Sequence, residues 1–328
     1  MRLRTSHALA AVGALAAAAV ASAAMAVGAA VAVAAAGKRL ATHWTHCRAR
    51  ASPGPFFVGS RSMRVAVVFF GLARALARTI ESIQRNIYAA NLADGFSFCT
   101  FASLNLLRNL HNPRAGELNV ALDPADAYRL DADVYLLAPQ DDAAIAAPLA
   151  AAQLQADAYQ DDWCATRNLL HQLTSLQRAW TACTQPQHGR FDYFLFVRPD
   201  LLYLDSFRLA KLASAFAGAG NIALPAWQRH GGFNDRFAFA DATAARHYAE
   251  RLSLVDRYCG LAPLHAERLL AYALYQGECK VCALPVRAQR IRAHGAKVRE
   301  TFSGLNSNLP RKPQRFALDG TRGPLFTR

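Results

Sequence analysis

The stretch Phe191–Asp205, FDYFLFVRPDLLYLD, constrains the fold of this chain more than any other segment. Its first part, Tyr193–Val197, is a run of aromatic and β-branched residues, which is typical of a buried strand. Pro199 cannot donate a backbone hydrogen bond, so we expect the strand to end there. Because open α/β sheets bind ligands at the carboxyl ends of their central strands, Arg198 and Asp200 are candidate site residues.

Two interpretations of this charged pair stay open at the level of sequence. In the first, Asp200 binds a divalent metal ion, Mn²⁺ or Mg²⁺, that carries a diphosphate, and Arg198 lies nearby as a second cation. In the second, Arg198 and Asp200 form an ion pair that simply closes the strand.

The positive charge of the chain is unevenly distributed. The formal net charge is +14, but residues 1–64 contain eight Lys or Arg and no acid, since the first carboxylate is Glu81; the remainder therefore carries 14 − 8 = +6. A basic N-terminus indicates membrane-proximal or targeting chemistry. No interleaved basic and aromatic pattern of a nucleic-acid module is present in the sequence, so we expect no nucleic-acid partner.

The segment Ala8–Gly37 contains no charged side chain. As a helix it would extend about 43 Å, more than the roughly 30 Å of a bilayer core. We therefore predict that residues 1–37 form a signal anchor. Two alternatives remain, a signal peptide cleaved near Ala21–Ala23 and an organelle transit peptide. Residues 38–62 are predicted to be a stem, 63–305 a folded domain and 306–328 a basic tail.

The folded domain opens with a strand, a short loop and a helix. Arg64–Phe70 is a continuous apolar run of the kind found in parallel sheets, and Ala75–Ala90 has apolar residues at helical spacing. The alternation predicts an α/β fold with a mostly parallel central sheet flanked by helices. Neither GxGxxG nor a P-loop occurs, but Gly71 and Arg74 precede a helix N-terminus that suits a diphosphate. A plain turn between strand and helix is the alternative.

Further elements follow from the same patterns. Predicted strands cover Phe96–Phe101, Ala132–Leu137, Asn221–Pro225 and Cys279–Pro285, and His111–Gly116 is predicted to be a loop. Predicted helices cover Asp141–Ala158, Cys164–Thr184, Ser206–Ala217, Ala242–Leu252 and His265–Tyr275. On the second of these helices, Asn168, Gln172 and Ser175 lie near one face, which we interpret as exposed to solvent.

The loop Gln228–Phe239 contains two adjacent glycines followed by three polar residues, Asn234, Asp235 and Arg236. Glycine permits unusual backbone angles and close approach of a ligand. Amide, carboxylate and guanidinium groups together suit sugar hydroxyls, a metal or a phosphate. An ordinary hairpin turn is the alternative interpretation.

The seven cysteines do not indicate a function. The pair Cys279 and Cys282 lacks a second CxxC or a histidine pair, so no zinc site is predicted. Cys164 and Cys183 lie on one predicted helix, about 28 Å apart by its rise, and cannot form a disulfide with each other there.

Five segments resemble, in order, a family of eukaryotic and viral glycosyltransferase-like proteins. They are VAVVFFGLARALARTIESIQRNIY, LLHQLTSLQRAW, FLFVRPDLLYLD, GGFNDRFAFADATAARHYAERL, and HAERLLAYAL followed by VRAQRIRAHG. They resemble the family's FGL-x-R opening, Q-L-x-S-L helix, R-P-D strand, N-D-R-F segment and S-E-x-x-L helix, and cover about Arg64 to Gly295. The sequence departs at His265, where the family often has Ser, and the R-P-D motif has one acid where better-known transferases have D-x-D.

The resemblance implies a Rossmann-like fold of the GT-A type and a glycosyltransferase that uses a nucleotide-sugar donor and a carbohydrate or glycoprotein acceptor. It also implies roles for individual residues. Asp235 is the first candidate for the catalytic base and Glu267 the second, and Asp200 is the candidate metal ligand. The candidate donor-binding residues are Gly71, Arg74, Arg198, Asn234 and Arg236.

The same resemblance implies a single-pass membrane protein of the Golgi or endoplasmic reticulum with a luminal catalytic domain. The positively charged residues after Gly37 slightly favour the opposite orientation. A non-catalytic carbohydrate- or nucleotide-binding membrane protein on the same fold is the alternative, and the single acid of R-P-D supports it.

Overall fold

The computed structural model describes residues 62–306 of the chain. The predicted anchor, stem and, beyond Asn306, the predicted tail lie outside these residues. Within 62–306 there is no helix of sufficient length and apolar character to cross a bilayer.

Twelve strands and seven α-helices of five or more residues form the described domain. The helix that begins at Leu76 continues through a π-helical segment, Gln84–Ala89, to a last helical turn at Ala90–Leu92. The strands are β1 (Met63–Leu72), β2 (Phe96–Leu106), β3 (Asn109–Asn112), β4 (Glu117–Ala121), β5 (Val134–Tyr135), β6 (Ala138–Pro139), β7 (Tyr193–Val197), β8 (Leu201–Tyr203), β9 (Asn221–Leu224), β10 (Ala238–Asp241), β11 (Lys280–Ala283) and β12 (Ala288–Arg290). The helices are α1 (Leu76–Ile83), α2 (Ala146–Gln153), α3 (Cys164–Cys183), α4 (Leu209–Ala215), α5 (Ala242–Ala249), α6 (Val255–Cys259) and α7 (Ala266–Gln276).

The central sheet has eight strands in the order β11-β9-β10-β7-β1-β2-β5, with β6 also paired to β2. Strand β1 is parallel to both β2 and β7. Strand β10 is antiparallel to its two neighbours, β7 and β9. The predicted α/β fold with a mostly parallel central sheet is therefore confirmed.

The continuous apolar run of β1 has a direct structural cause, because both faces of the strand are covered. Val65, Val67 and Phe69 belong to a core that contains the apolar residues of α1. Ala66 and Val68, which alternate with them, belong to a second core that contains those of α3. A strand between two helical layers has no solvent face, so it shows no polar alternation.

Several predicted elements differ from the structure in extent. The predicted loop His111–Gly116 forms the end of β3 and the turn to β4, so a hairpin was missed. The predicted helix over Asp141–Ala158 is a short 3₁₀ segment, Asp142–Ile145, followed by α2. Alanine favours helix at every position, and its abundance therefore conceals where the helix begins and ends.

The chain order of the strands reverses beside β1. Strand β2 is the neighbour of β1 on one side. Strand β7, which comes later in the chain, is its neighbour on the other side. The helices that follow β1 and precede β7 pack on opposite faces of the sheet. Such a reversal leaves a crevice at the carboxyl ends of the two strands, which is where open α/β sheets bind ligands.

Candidate functional site

A polar pocket lies at the carboxyl ends of β1 and β7. Residues of both strand ends line it, together with residues of β2, the β3–β4 hairpin and α3. The lining residues include Gly71, Arg74, Asn105, Asn168, His171, Gln172, Arg198, Pro199 and Asp200. The structure thus brings together four of the residues predicted from sequence. Gly71 lies at the end of one strand and Arg74 just after it, and Arg198 and Asp200 follow another strand more than a hundred positions later.

Asp200 is held by two arginines at the base of this pocket. Its Oδ1 accepts a hydrogen bond from Arg198 Nε at 2.9 Å, and its Oδ2 accepts from Arg198 Nη2 at 2.7 Å. Arg74 donates to the same Oδ2 from Nη2 at 2.8 Å and from Nε at 3.2 Å. Asp200 is only 2% exposed, so these guanidinium groups take the place of water around its carboxylate.

The protonation of this pair follows from the same contacts. Burial by itself would raise the pKa of Asp200, but the positive charges and hydrogen bonds of Arg198 and Arg74 outweigh it and hold the pKa well below its usual range. Burial would lower the pKa of Arg198, and the charge of Asp200 reverses this effect, so the net shift is upward. Both groups are therefore charged at neutral pH.

Glu117 is a second buried carboxylate, which the sequence analysis did not identify. It is 0% exposed, and its Oε2 accepts from Arg74 Nη1 at 3.0 Å. Its Oε1 accepts from the backbone N–H of Ala293 at 2.7 Å, and Arg292 Nη1 lies 3.9 Å from Oε2. We call Arg74, Arg198, Arg292, Asp200 and Glu117 the arginine cluster. In the sequence, Glu117 is only a single acidic residue directly after the predicted loop His111–Gly116, and this pattern does not indicate a site.

The donor set of this cluster does not fit a divalent cation at Asp200. Both of its carboxylate oxygens already accept hydrogen bonds from guanidinium groups, and the local charge is positive. Within residues 62–306, no group of three or more His, Cys, Asp and Glu side chains is arranged to hold a metal ion. The ion-pair interpretation of Arg198 and Asp200 describes the observed geometry.

Gly71 lines the pocket, but its backbone N–H is not directed at it. The N–H donates to Ser175 Oγ at 2.7 Å, and the backbone has φ +101°, which favours glycine. Ser175 is fully buried, and Asn168 and Gln172 line the pocket. The prediction of a solvent-exposed face on α3 is therefore wrong, because Asn168 and Gln172 line the pocket and Ser175 is buried against Gly71.

Asp235 lies next to the pocket through Gln172. The Nε2 of Gln172 donates to Asp235 Oδ2 at 3.2 Å, while the Tyr248 hydroxyl donates to the Asp235 carbonyl at 2.7 Å. Asp235 is 5% exposed. Its negative charge also contributes to the raised pKa of Arg198, so the two groups are electrostatic neighbours. Arg198 is thus paired with Asp200 and also feels the charge of Asp235.

Glu267 and His265 lie at the start of α7, close to Asp235. Burial, and then the charge of Asp235, raise the pKa of Glu267 to about 8. Burial, followed by the charges of Arg268 and His230, lowers the pKa of His265 to about 4. Glu267 Oε2 lies 3.2 Å from His265 Nδ1. A neutral carboxyl and a neutral imidazole therefore meet here at neutral pH. We call Asp235, Glu267, His265 and Gln172 the carboxyl cluster.

The glycine pair of the loop has a packing role. The backbone N–H of Phe233 donates to the Glu267 carbonyl at 3.0 Å. A Cβ on Gly232 would lie 2.0 Å from that carbonyl oxygen, a distance that no side chain tolerates. Gly232 therefore lets the loop contact the first turn of α7 directly, and this contact places Asp235 beside Glu267.

The other two predicted donor-binding residues lie in the same loop but outside the pocket lining. Asn234 donates to the Trp227 carbonyl at 2.8 Å and accepts from the Arg236 N–H at 3.1 Å, so its amide supports the loop. Arg236 Nη1 pairs with Glu300 at 3.1 Å, and its guanidinium lies 5.0 Å from the Trp227 ring centre. Neither side chain lines the pocket at β1 and β7.

Comparisons with known proteins identify structural neighbours and no family. No family model matches the chain, and no curated protein matches it. Mouse xyloside xylosyltransferase 1 is similar over 65% of this chain and 80% of its own, with 13% identity and a TM-score of 0.33. The galactosyltransferase LgtC is similar over 67% of this chain and 73% of its own, with 12% identity and a TM-score of 0.35. The mannosyltransferase Ktr4p of S. cerevisiae is similar over 72% of this chain and 72% of its own, with 7% identity and a TM-score of 0.35.

Proposed function

We propose that the domain is a GT-A type glycosyltransferase that moves a sugar from a nucleotide-diphosphate donor to a carbohydrate or protein acceptor. The observation that carries the proposal is the pocket at the reversal of strand order, where β1 and β7 end in Arg74 and Arg198. A crevice of this kind accepts nucleotides in open α/β sheets, and excess positive charge suits their phosphates. Three of the five sequence segments that resemble glycosyltransferase-like proteins contribute residues to its lining, namely the first strand with its helix, the Q-L-x-S-L helix and the R-P-D strand.

The chemistry of glycosyl transfer requires two functions from the protein. The leaving nucleoside diphosphate gains negative charge as the glycosidic bond breaks, and preorganised cations stabilise it. Arg198 lines the pocket and is the closest candidate for that role. The acceptor hydroxyl loses a proton as it attacks, and a carboxylate within hydrogen-bond reach can receive it.

Asp235 is a better base than Glu267. Its hydrogen-bond donor is the neutral amide of Gln172, which leaves carboxylate capacity for a second donor such as a hydroxyl group. Glu267 has a pKa of about 8 because of burial and of Asp235, so it holds its proton at neutral pH. We therefore assign the base to Asp235 and a proton-holding, orienting role to Glu267.

Incubation with a panel of UDP- and GDP-sugars, with and without manganese, tests this function. The expected result is release of the nucleoside diphosphate from at least one donor and loss of that activity in Asp235→Asn. No turnover of any donor, with or without an oligosaccharide acceptor, would remove the enzymatic proposal.

A non-catalytic binding protein on the same fold is the second candidate. The complete ion pairing of Asp200 favours it, because that carboxylate is not free to take part in a reaction. Donor binding without turnover would support this candidate, and turnover would exclude it.

For the location, we propose that residues 1–37 anchor the domain to a membrane of the secretory pathway, with the domain in the lumen. Retention of the full chain in the membrane pellet after carbonate extraction supports an anchor, and release contradicts it. A variant that lacks residues 1–61 is expected to be soluble and folded, because the first strand begins at Met63.

A further inference from the structure

The acidic residue that a metal-dependent transferase would use at the end of β7 is already neutralised in this protein. Four guanidinium N–H groups of Arg74 and Arg198 donate to the two oxygens of Asp200 at 2.7–3.2 Å. A divalent cation at Asp200 would have to displace these hydrogen bonds and approach two positive charges. The position two residues before Asp200 holds Arg198, a cation, where the D-x-D pattern holds an acid.

The charge balance of the residues in and around the pocket is positive without any ion. The arginine cluster contains three guanidinium groups and two carboxylates, a net charge of 3 − 2 = +1. Arg236 and Arg290 share the single carboxylate of Glu300, which adds 2 − 1 = +1 beside it. The carboxylate of Asp235, whose charge acts on both Arg198 and Arg236, takes away one unit, so 1 + 1 − 1 = +1 remains. A positive surplus of this kind attracts a diphosphate.

Two of these arginines are available for an anion. Arg198 uses Nε and one terminal nitrogen for Asp200, its side chain is 18% exposed, and it lines the pocket. Arg292 is 17% exposed, and its nearest carboxylate oxygen, on Glu117, is 3.9 Å away. Arg74, in contrast, uses all three nitrogens for Asp200 and Glu117. Arg74 therefore holds the carboxylates in place, and Arg198 and Arg292 present charge.

The electrostatics of Arg292 agree with an anion beside it. Burial, followed by the charges of Arg74 and Arg290, lowers the pKa of Arg292. A bound phosphate would offset this repulsion, because it supplies the opposite charge at short range.

We propose that this protein stabilises the diphosphate leaving group with Arg198 and Arg292, held by Asp200 and Glu117, and uses no divalent cation for that purpose. The inference rests on the proposed glycosyltransferase function. In the reaction, the bond between the anomeric carbon and the phosphate oxygen breaks, and its electron pair stays on that oxygen beside the guanidinium groups. The acceptor oxygen forms the new bond to the anomeric carbon, and its proton passes to Asp235.

The test is calorimetric titration of the full-length protein with inorganic pyrophosphate, UDP and GDP, each in EDTA and in Mn²⁺. We expect at least one of these probes to bind in EDTA with a Kd within about threefold of its value in Mn²⁺, since guanidinium groups supply the charge.

Arginine variants identify the groups responsible. Arg198→Gln is expected to weaken that binding tenfold or more in EDTA, and Arg292→Gln several-fold. Arg287→Gln is the matched control, because Arg287 also forms a two-point ion pair, but with Asp205, which lies outside the arginine cluster. Arg292→Gln decides the question if Arg198→Gln fails to fold, since the nearest carboxylate oxygen to Arg292 within residues 62–306 is 3.9 Å away.

The outcomes separate this inference from the function on which it rests. Binding that requires Mn²⁺ would overturn the arginine proposal and leave a glycosyltransferase in place. Binding in EDTA that neither Arg198→Gln nor Arg292→Gln weakens would place the diphosphate elsewhere and also overturn it. Absence of binding under both conditions would overturn the nucleotide-dependent function itself, and the inference with it.

Discussion

The arginine cluster and the carboxyl cluster accommodate buried acidic groups in opposite ways. In the arginine cluster, both carboxylates are paired with guanidinium groups at about hydrogen-bond distance. In the carboxyl cluster, Asp235 accepts a hydrogen bond from the neutral amide of Gln172, and Glu267 keeps its proton because its pKa is about 8. A wall of paired carboxylates with surplus arginine suits a bound anion, whereas an unpaired carboxylate suits proton transfer. The predictions below test this division of roles.

The largest effect on turnover is expected from a substitution in the carboxyl cluster. Asp235→Asn keeps the shape of the side chain and removes its ability to take a proton, so turnover should fall about a hundredfold or more. Binding of the nucleoside diphosphate should change less than about threefold, because the arginine cluster is intact. Steady-state rates together with calorimetric Kd values measure both quantities.

An equal loss of binding and turnover in Asp235→Asn would contradict the division, because Asp235 would then belong to the donor site. Asp205→Asn provides the comparison for an aspartate on the outside of the domain, and both parameters should stay near those of the unchanged protein.

Substitutions in the arginine cluster are expected to lower the stability of the folded domain. Asp200→Asn leaves Arg74 and Arg198 without their shared carboxylate in a buried position, so the free energy of unfolding should fall by about 3 kcal/mol. Asp205→Asn breaks an ion pair with Arg287 that is more exposed than the pair of Asp200, and it should cost clearly less. Urea denaturation of the two variants measures the difference, and equal losses would show that burial of the Asp200 pair is not decisive.

The contact between the loop and α7 places Asp235 beside Glu267. Gly232→Ala places a Cβ 2.0 Å from the Glu267 carbonyl oxygen, so the loop must shift, at a cost of about 2 kcal/mol, and turnover should fall with it. Gly260→Ala is the control, because its nearest neighbour is the Arg257 carbonyl oxygen at 3.4 Å. If Gly232→Ala is as stable and as active as the control, the close contact does not position Asp235.

The smallest effect concerns the pH dependence of stability. The pKa of Glu267 is about 8 in the folded protein and about 4.5 unfolded, so the folded state binds the additional proton. This stabilisation is complete below about pH 4.5 and is lost as the pH rises through about 8. Glu267→Gln cannot ionise, and we expect its free energy of unfolding at pH 9 to exceed that of the unchanged protein by on the order of 1 kcal/mol.

Thermal unfolding of both proteins between pH 6 and pH 9 provides the measurement for Glu267→Gln. Parallel curves for the two proteins would mean that the carboxyl of Glu267 is ionised throughout, and its proton-holding role would be withdrawn.

The sequence predicted the elements whose patterns are local. Strand β7 has the predicted limits, and α3 ends one residue before the predicted end, because composition and helical period are local properties. The position of the pocket also followed from the sequence, since a central strand that ends in Arg198-Pro199-Asp200 must place its charges at one edge of the sheet.

The partners of those charges could not be predicted, because they are distant along the chain. Glu117 meets Arg74 across 43 positions and the Ala293 N–H across 176. Likewise, a polar stripe such as Gln172 and Ser175 looks the same in sequence whether it faces water or a polar pocket. Only the fold distinguishes these cases, and that is why the ion pairing of Asp200 emerged from the structure.

A crystal structure of the protein with the tightest-binding nucleoside diphosphate tests the central claim most directly. The account predicts the diphosphate at the carboxyl ends of β1 and β7, hydrogen-bonded to Arg198, with Asp200 still paired to Arg74. A diphosphate bound outside this pocket, or one attached to Asp200 through a metal ion with the arginines displaced, would contradict it.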